Sequence, residues 1–161
     1  MGSPDDRRTV SPARPGDPHP RVRSRWVSVL WIALLYLWVM PITLPASLLA
    51  LVARLSGGSA AWHSGVLEGY GGPLPWLLRR VYPPMPIAAI TLGHVVLASS
   101  HSDLERTRIH ERVHVRQFER WGPLFPLVYV LASLIALLQG RDLYRDNWFE
   151  REARGLAQDN R

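Results

Sequence analysis

Residues 26–53 form an unbroken run of 28 residues without a charged side chain, WVSVLWIALLYLWVMPITLPASLLALVA. A run of about 18 apolar residues is already a candidate membrane helix. The preceding arm and the run itself are too long for a cleaved signal peptide, and no small-residue cleavage site follows promptly. We therefore interpret residues 26–55 as a retained hydrophobic membrane segment.

Two prolines within this segment leave its shape open. Pro41 and Pro45 each remove a helical hydrogen bond and bend the chain. The segment is then either a single kinked, tilted span or a re-entrant hairpin whose arms are residues 26–40 and 45–54. The first arm alone would be about 22 Å long, which is shorter than the roughly 30 Å hydrocarbon core of a bilayer.

The flanking arm and the overall charge indicate which partner suits this segment. Residues 1–25 are rich in Pro, Arg and Asp and have almost nothing apolar to bury, so we expect them to be disordered. Arg21, Arg23 and Arg25 directly precede the segment, and the positive-inside rule then predicts a cytoplasmic N-terminus. The net charge of +6 would suit nucleic acid or an anionic membrane. The apolar run favours membrane lipid as the partner, and no nucleic acid is expected.

Downstream of the segment the sequence predicts mostly helices. A helix is expected over residues 102–121, because Ser102 and Glu105 form an S-x-x-E capping box and Gly122-Pro123 ends the pattern. Residues 87–99, IAAITLGHVVLAS, are apolar and β-branched, which indicates one strand. The remaining expected elements are a short strand within residues 63–72, an apolar segment over residues 124–139 and a final helix that starts at Asn147.

The predicted helix carries the order H-E-x-x-H in His110, Glu111 and His114. Side chains four residues apart lie on one helix face, so both histidines can bind one metal ion through a ring nitrogen at about 2.0–2.1 Å. Glu111 is turned away by one residue and can act on a water at the ion without binding the ion itself. Two ligands and one general base on one helix predict a metal-dependent hydrolase.

A catalytic zinc site normally has three protein ligands and one open position. The chain has no cysteine, so histidines and carboxylates are its only strong ligands. The extended H-E-x-x-H-x-x-G-x-x-H pattern is absent, because Gln117 stands at its glycine position. A downstream carboxylate is the better candidate, and the final helix offers Glu150 and Glu152. These two are about 200° apart on a helix, so only one can face the ion.

The stretch Glu150-Arg151-Glu152-Ala153-Arg154 resembles the E-x-x-A-D motif with which gluzincin metallopeptidases supply a glutamate ligand. Glu150 and Ala153 match this motif, whereas Arg154 stands at its aspartate position, where an acidic residue would orient a ligating histidine. Residues 65–160 also resemble a family of short bacterial membrane proteins with this zincin signature. The resemblance implies zinc as the cofactor, Glu150 as the third ligand and a location in the bacterial inner membrane.

These features predict a mainly α fold with a small β element, arranged as a membrane-anchored minimal zincin-like core. The apolar segment 124–139 cannot cross the membrane in such a fold, because Glu150 would then emerge about 30 Å from the two histidines. This segment has only sixteen residues, so we expect it to pack over the zinc helix and to turn back at Gly140. The predicted parts are a disordered arm (1–25), the membrane segment (26–55) and a metal-binding domain (60–161).

His94 lies in TLGHVVL, shortly before the predicted zinc helix. In zincins a strand near the site pairs with the substrate backbone, so His94 could orient substrate or stabilise an oxyanion. The alternative is a strand histidine that faces solvent or a hydrogen-bonded neighbour. Four arginines on the far side of the zinc helix are expected to face water or lipid headgroups, as charged helix faces usually do. They are Arg108, Arg112, Arg116 and Arg120.

Two functions lead from the sequence, and a third, the binding of anionic lipid or nucleic acid through the arginine stripe, is the weakest. The first is a membrane-associated zinc metallopeptidase that acts on a peptide or protein substrate, with Glu111 as the group that moves the proton. The second is a non-catalytic metal-binding membrane protein of structural or regulatory role. An open coordination position beside an unpaired strand edge would favour the first function. The sequence does not indicate which oligomeric state the protein has.

Overall fold

A computed structural model describes residues 20–81 and 87–159 of the chain. Of the arm predicted to be disordered, residues 1–19 lie outside the described residues, whereas residues 20–25 already belong to the first helix. This helix, α1 (Pro20–Leu55), has 36 residues and contains both prolines. The hairpin alternative is therefore wrong, and the segment is a single helix.

A four-stranded sheet follows α1, in the order β1-β2-β4-β3. The strands are β1 (Ser59–His63), β2 (Val66–Tyr70), β3 (Ala89–Leu92) and β4 (Val95–Ala98). β1 and β2 form an antiparallel hairpin, as do β3 and β4, and β2 pairs with β4 in parallel. Parallel pairing requires a crossover connection, and this connection contains α2 (Leu74–Val81).

The single strand predicted over residues 87–99 is wrong, because Gly93 and His94 form a turn between β3 and β4. Gly93 has a φ of 66°, a left-handed conformation that glycine adopts without strain. A Cβ at this position would lie 2.4 Å from Oγ1 of Thr43, so the turn also packs tightly against α1. The short strand predicted within residues 63–72 corresponds to β2.

The helix predicted over residues 102–121 is confirmed as α3 (His101–Trp121). Its N-cap is Ser100 rather than Ser102, since Oγ of Ser100 accepts a hydrogen bond of 3.1 Å from the backbone N–H of Asp103. After α3 come a 3-10 turn (Gly122–Leu124), α4 (Phe125–Leu138) and α5 (Trp148–Asp159). The predicted fold class, mainly helical with a small sheet, is confirmed at this level.

The sheet is the middle of three layers, because β4 turns successive side chains toward two different helices. Val95 and Leu97 pack against α1 on one face, and Val96 and Ala98 pack against α3 on the other. α1 contributes small side chains that let the sheet approach closely, and α1 is thus a layer of the core as well as an apolar helix. These side chains are Ala46, Ala50 and Ala53.

The outer faces of α1 and α4 are apolar and exposed. Leu48 of α1 is 63% exposed, and Leu138 of α4 is 87% exposed. Two helical stretches, Val27–Leu55 and His101–Leu138, are long and apolar enough to cross a membrane. The apolar part of the second stretch lies in α4, since α3 carries charged residues along its length.

Candidate metal centre

Three side chains that can bind metal lie together where α3 meets α5. Nε2 of His110 lies 3.1 Å from Nε2 of His114. Glu150 faces both nitrogens, with Oε2 lying 3.3 Å from His110 and Oε1 lying 3.3 Å from His114. In a tetrahedral zinc site with bonds of about 2.0–2.1 Å, neighbouring ligand atoms are roughly 3.3 Å apart. The two 3.3 Å distances run to different oxygens of Glu150, so its carboxylate spans the two nitrogens. One ligand atom from each residue lies within 4.8 Å of the others, a grouping that could hold one ion.

Glu150 reaches the histidines because the chain turns back after α4. Gly140 has a φ of 71° and follows the end of this helix. The fully buried Asn147 then ties the returning chain to α4, since its Nδ2 donates to the carbonyl of Tyr129 (3.0 Å) and to Oγ of Ser133 (2.7 Å). The prediction that the apolar segment turns back at Gly140 is confirmed.

Of the two candidate glutamates, the structure brings Glu150 to the histidines. Its side chain is buried, with 3% of the residue exposed. Glu152 points elsewhere, and its Oε2 accepts a hydrogen bond of 2.8 Å from Nε2 of Gln117. This separation follows from the helical rotation between the two positions.

The carboxylate of Glu150 is suited to a positively charged partner. Burial on its own raises the pKa of Glu150, but the contacts with His110 and His114 outweigh burial and hold this pKa well below its usual range. Oε2 of Glu150 is buried, and although Nε2 of His110 lies 3.3 Å away, no described residue forms a well-oriented hydrogen bond with this oxygen. Buried polar atoms rarely lack a partner. A cation beside the two imidazole nitrogens would supply one, so the residues present fit a metal ion.

Glu111 is also buried, with 5% of the residue exposed. Its Oε2 accepts a hydrogen bond of 2.7 Å from Oγ1 of Thr91, which lies on β3. β3 is an edge strand, and no strand in the described part of the chain pairs with its outer side. Glu111 therefore connects the helix that carries the histidines to the edge strand β3.

His94, the second candidate catalytic residue, lies in a different environment. It is 1% exposed, its Nε2 lies 3.2 Å from Oε1 of Glu119, and its ring stacks on Tyr36 with a centroid distance of 4.0 Å. The metal-binding group of His110, His114 and Glu150 does not include it. These contacts fit the alternative given for His94 from the sequence, in which the histidine faces a hydrogen-bonded neighbour.

The arginine stripe is less exposed than predicted. Arg108 and Arg112 turn toward the sheet and pair with the buried carboxylate of Glu68, with N–O distances of 3.1 and 2.9 Å. The prediction that these two face water or headgroups is wrong, because β2 places a buried acid opposite them. Arg116 and Arg120 are exposed, as expected.

Sequence reasoning missed the residues that surround the ligands. Oε1 of Gln117 lies 2.7 Å from Nδ1 of His114, and the hydroxyl of Tyr129 donates to Oε1 of Glu150 at 2.9 Å. Gln117 could have been found, because it lies one turn after His114 on the same helix face. Tyr129 gave no signal, since it lies within an apolar segment. Arg154, at the aspartate position of the motif, lies 3.9 Å from Oε2 of Glu150.

Comparisons of the chain with protein-family models, curated proteins and solved structures found no match. The fold and the site together define a small α-rich protein with a His-His-Glu group that could hold a metal ion. The resemblance to gluzincin peptidases stays a prediction from sequence.

Proposed function

We propose that this chain is a membrane-associated zinc metallopeptidase. The observation that carries the proposal is the contact of Glu150, on α5, with both histidines of α3 at 3.3 Å. The helix α3 also holds the buried carboxylate of Glu111. Structural zinc sites are normally closed by four protein ligands, whereas catalytic sites have three and a position for water or substrate. The group has three members among the described residues, which supports a catalytic site.

Zinc is the ion that suits these donors best. Two imidazoles and one carboxylate are a common ligand set for catalytic zinc. The 3.1 Å between the two imidazole nitrogens, and the 3.3 Å from each nitrogen to one oxygen of Glu150, are close to the ligand spacing of such an ion. When bound, zinc polarises a carbonyl group and lowers the pKa of water to about 7.

The proton transfers fall to Glu111. Its carboxylate takes a proton from the attacking water and later delivers it to the leaving amine of the peptide. Thr91 donates to Oε2 at 2.7 Å, and this hydrogen bond helps to fix the direction in which the carboxylate of Glu111 points. A positioned carboxylate of this kind contributes typically 10²- to 10⁴-fold to a rate.

The unpaired edge of β3 supports a peptide or protein as the substrate. An extended peptide can add to a free strand edge through main-chain hydrogen bonds. β3 carries Thr91, so a peptide paired with this strand would lie near Glu111. The substrate class is thus an extended polypeptide rather than a small molecule.

The membrane part of the proposal rests on exposed apolar surface. The outer faces of α1 and α4 carry leucines that water would not stabilise, and both stretches have the length and composition of membrane helices. Arg21, Arg23 and Arg25 precede the apolar run, which supports a cytoplasmic N-terminus in a bacterial inner membrane. Membrane lipid is the partner of these faces.

A second candidate function is a non-catalytic metal-binding membrane protein. The hydrogen bond between Thr91 and Glu111 favours it, because a carboxylate that links a strand to a helix also serves as a structural element. In this case the metal would stabilise the junction of α3 and α5, and no peptide would be hydrolysed.

The deciding experiment measures metal content and peptide hydrolysis on the same detergent-purified chain. Stoichiometric zinc, together with hydrolysis of a peptide library that is lost in Glu111→Gln, supports the peptidase. Stoichiometric zinc without turnover on any peptide supports the non-catalytic alternative. A chain that retains no divalent metal refutes both.

A further inference from the structure

Gln117 is the most deeply buried polar side chain in contact with the metal-binding group, with 2% of the residue exposed. It lies one helical turn after His114 and touches α5 on its other side. We infer that Gln117, held by Glu152, is a positioning residue that fixes the tautomer and ring orientation of His114. This inference rests on the metal site of the proposed function.

The orientation of the Gln117 amide follows from its partners. Its Nε2 lies 3.1 Å from the carbonyl oxygen of Phe149 and 2.8 Å from Oε2 of Glu152. A carbonyl oxygen and a carboxylate oxygen can only accept hydrogen bonds, so the amide NH₂ must face them. The amide oxygen, Oε1, is then the atom that faces His114.

The amide oxygen in turn determines which ring nitrogen of His114 carries a proton. Oε1 of Gln117 lies 2.7 Å from Nδ1 of His114, and it can only accept. Nδ1 therefore holds a hydrogen and donates it. In neutral imidazole the lone pair then belongs to Nε2, which is the atom that faces His110 and Glu150. Metal-binding histidines are commonly oriented by such a donation from the second nitrogen.

This arrangement compensates for a departure noted in the sequence. Arg154 occupies the position at which the motif would place an acidic residue to orient a histidine. Here the acidic residue is Glu152, two positions after Glu150 on the same helix, and it acts through the amide of Gln117. One helix thus supplies both a ligand, Glu150, and the group that orients another ligand.

The test uses the full chain in detergent, loaded with zinc. Gln117→Leu keeps the size of the side chain and removes its hydrogen bonds. We expect zinc affinity, measured by competition with a chromophoric chelator, to fall by about 10- to 100-fold. In ¹⁵N-histidine spectra, the protected Nδ1–H signal of His114 should be lost. Gln117→Glu combined with Glu152→Gln keeps an acceptor facing Nδ1 and places a donating amide opposite the new carboxylate, so this pair should retain that signal and most of the affinity.

Two further variants separate positioning from folding. Glu152→Ala lies at a partly exposed position and frees the amide, so it should weaken zinc binding by a smaller factor than Gln117→Leu, with an unchanged unfolding midpoint. Arg120→Ala is the matched control, because Arg120 is an exposed ion-pair partner of Glu152, at 3.8 Å, and takes no part in the hydrogen bonds that join Glu152, Gln117 and His114. It should change nothing.

The outcomes distinguish this inference from the function on which it rests. If the wild-type chain binds no zinc, the proposed function fails and the inference fails with it. If the wild type binds zinc, but Gln117→Leu and Glu152→Ala bind it within twofold of wild type with the Nδ1–H signal intact, the positioning role alone is refuted.

Discussion

The hydroxyl of Thr91 donates to Oε2 of Glu111 across 2.7 Å, and this hydrogen bond joins an edge strand to the H-E-x-x-H helix. Thr91 Oγ1 also lies 3.2 Å from the backbone carbonyl of Glu111. The position of the carboxylate is therefore set by the sheet as well as by its own helix. A substitution of Glu111 can therefore be tested separately for its effect on peptide hydrolysis and for its effect on the stability of the fold.

Glu111→Gln should keep the metal and the fold, because the residue is not a ligand and glutamine still accepts from Thr91. If Glu111 is the general base, peptide hydrolysis should fall by roughly 10²- to 10⁴-fold. Hydrolysis rates and metal content are measured on the same preparation. A drop in the unfolding midpoint, with residual activity that follows the folded fraction, would instead identify Glu111 as structural.

The His110→Ala, His114→Ala double variant should lose the single divalent ion that we expect per chain. Two of three ligand atoms are removed, and the carboxylate of Glu150 alone binds zinc weakly. Elemental analysis of detergent-purified protein gives the stoichiometry. His101→Ala is the control, since this exposed histidine lies on the same helix outside the group. Stoichiometric metal in the double variant would falsify the site.

Glu150→Gln and Glu152→Gln should differ sharply in metal binding. The first change removes the charge of a ligand 3.3 Å from both histidines, so zinc affinity should fall by more than the roughly 10- to 100-fold typical of residues around a metal site. The second keeps an oxygen that can accept from Gln117, so affinity should be unchanged. Both are measured by chelator competition, and the reverse ranking would make Glu152 the ligand.

Arg108→Ala combined with Arg112→Ala should destabilise the fold by about 3 kcal/mol, because the buried carboxylate of Glu68 would lose both partners. This figure is at the lower end of the range for broken buried pairs, since both arginines are partly exposed. Thermal unfolding in detergent gives the difference. Arg116→Ala should stay within about 0.5 kcal/mol of wild type. Equal midpoints for all variants would contradict the pairing.

Gly122→Ala should destabilise the junction of α3 and α4 more than Gly140→Ala destabilises the end of α4. Both glycines have positive φ, which costs a substituted residue about 1–2 kcal/mol. A Cβ on Gly122 would also lie 2.1 Å from the ring of Trp38, whereas Gly140 has nothing within 4 Å. Unfolding midpoints of the two variants test this, and a smaller shift for Gly122→Ala would argue against the contact with Trp38.

The sequence predicted the metal-binding group because its signal is local. The spacing of His110 and His114 places them on one helix face by geometry alone. Glu150 was predicted from its match to the E-x-x-A motif, and the short apolar segment before it favoured a return of the chain. The pairing of Arg108 and Arg112 with Glu68 could not be predicted, because Glu68 is forty positions or more from them in sequence and meets them only in the folded sheet.

The errors in the predicted elements have equally physical causes. Gly93 lies inside an otherwise β-branched run, and a single glycine is compatible with a strand or with a tight turn. Only the close approach to Thr43 of α1 makes the turn necessary. For α1 the prolines suggested an interruption. The helix is instead supported along one side by the sheet, and this tertiary contact cannot be predicted from the residues around the prolines.

The alanines of α1 that pack against the sheet make the first helix inseparable from the rest of the protein. A chain that begins at residue 57 would lack one wall of its core and would expose Val95 and Leu97, which are 0% and 1% exposed in the intact fold. Proteolytic release of a stable, water-soluble fragment from its helix is therefore not expected. In the proposed function, folding and attachment depend on two faces of the same helix, so cleavage after α1 would be expected to unfold the domain rather than release it.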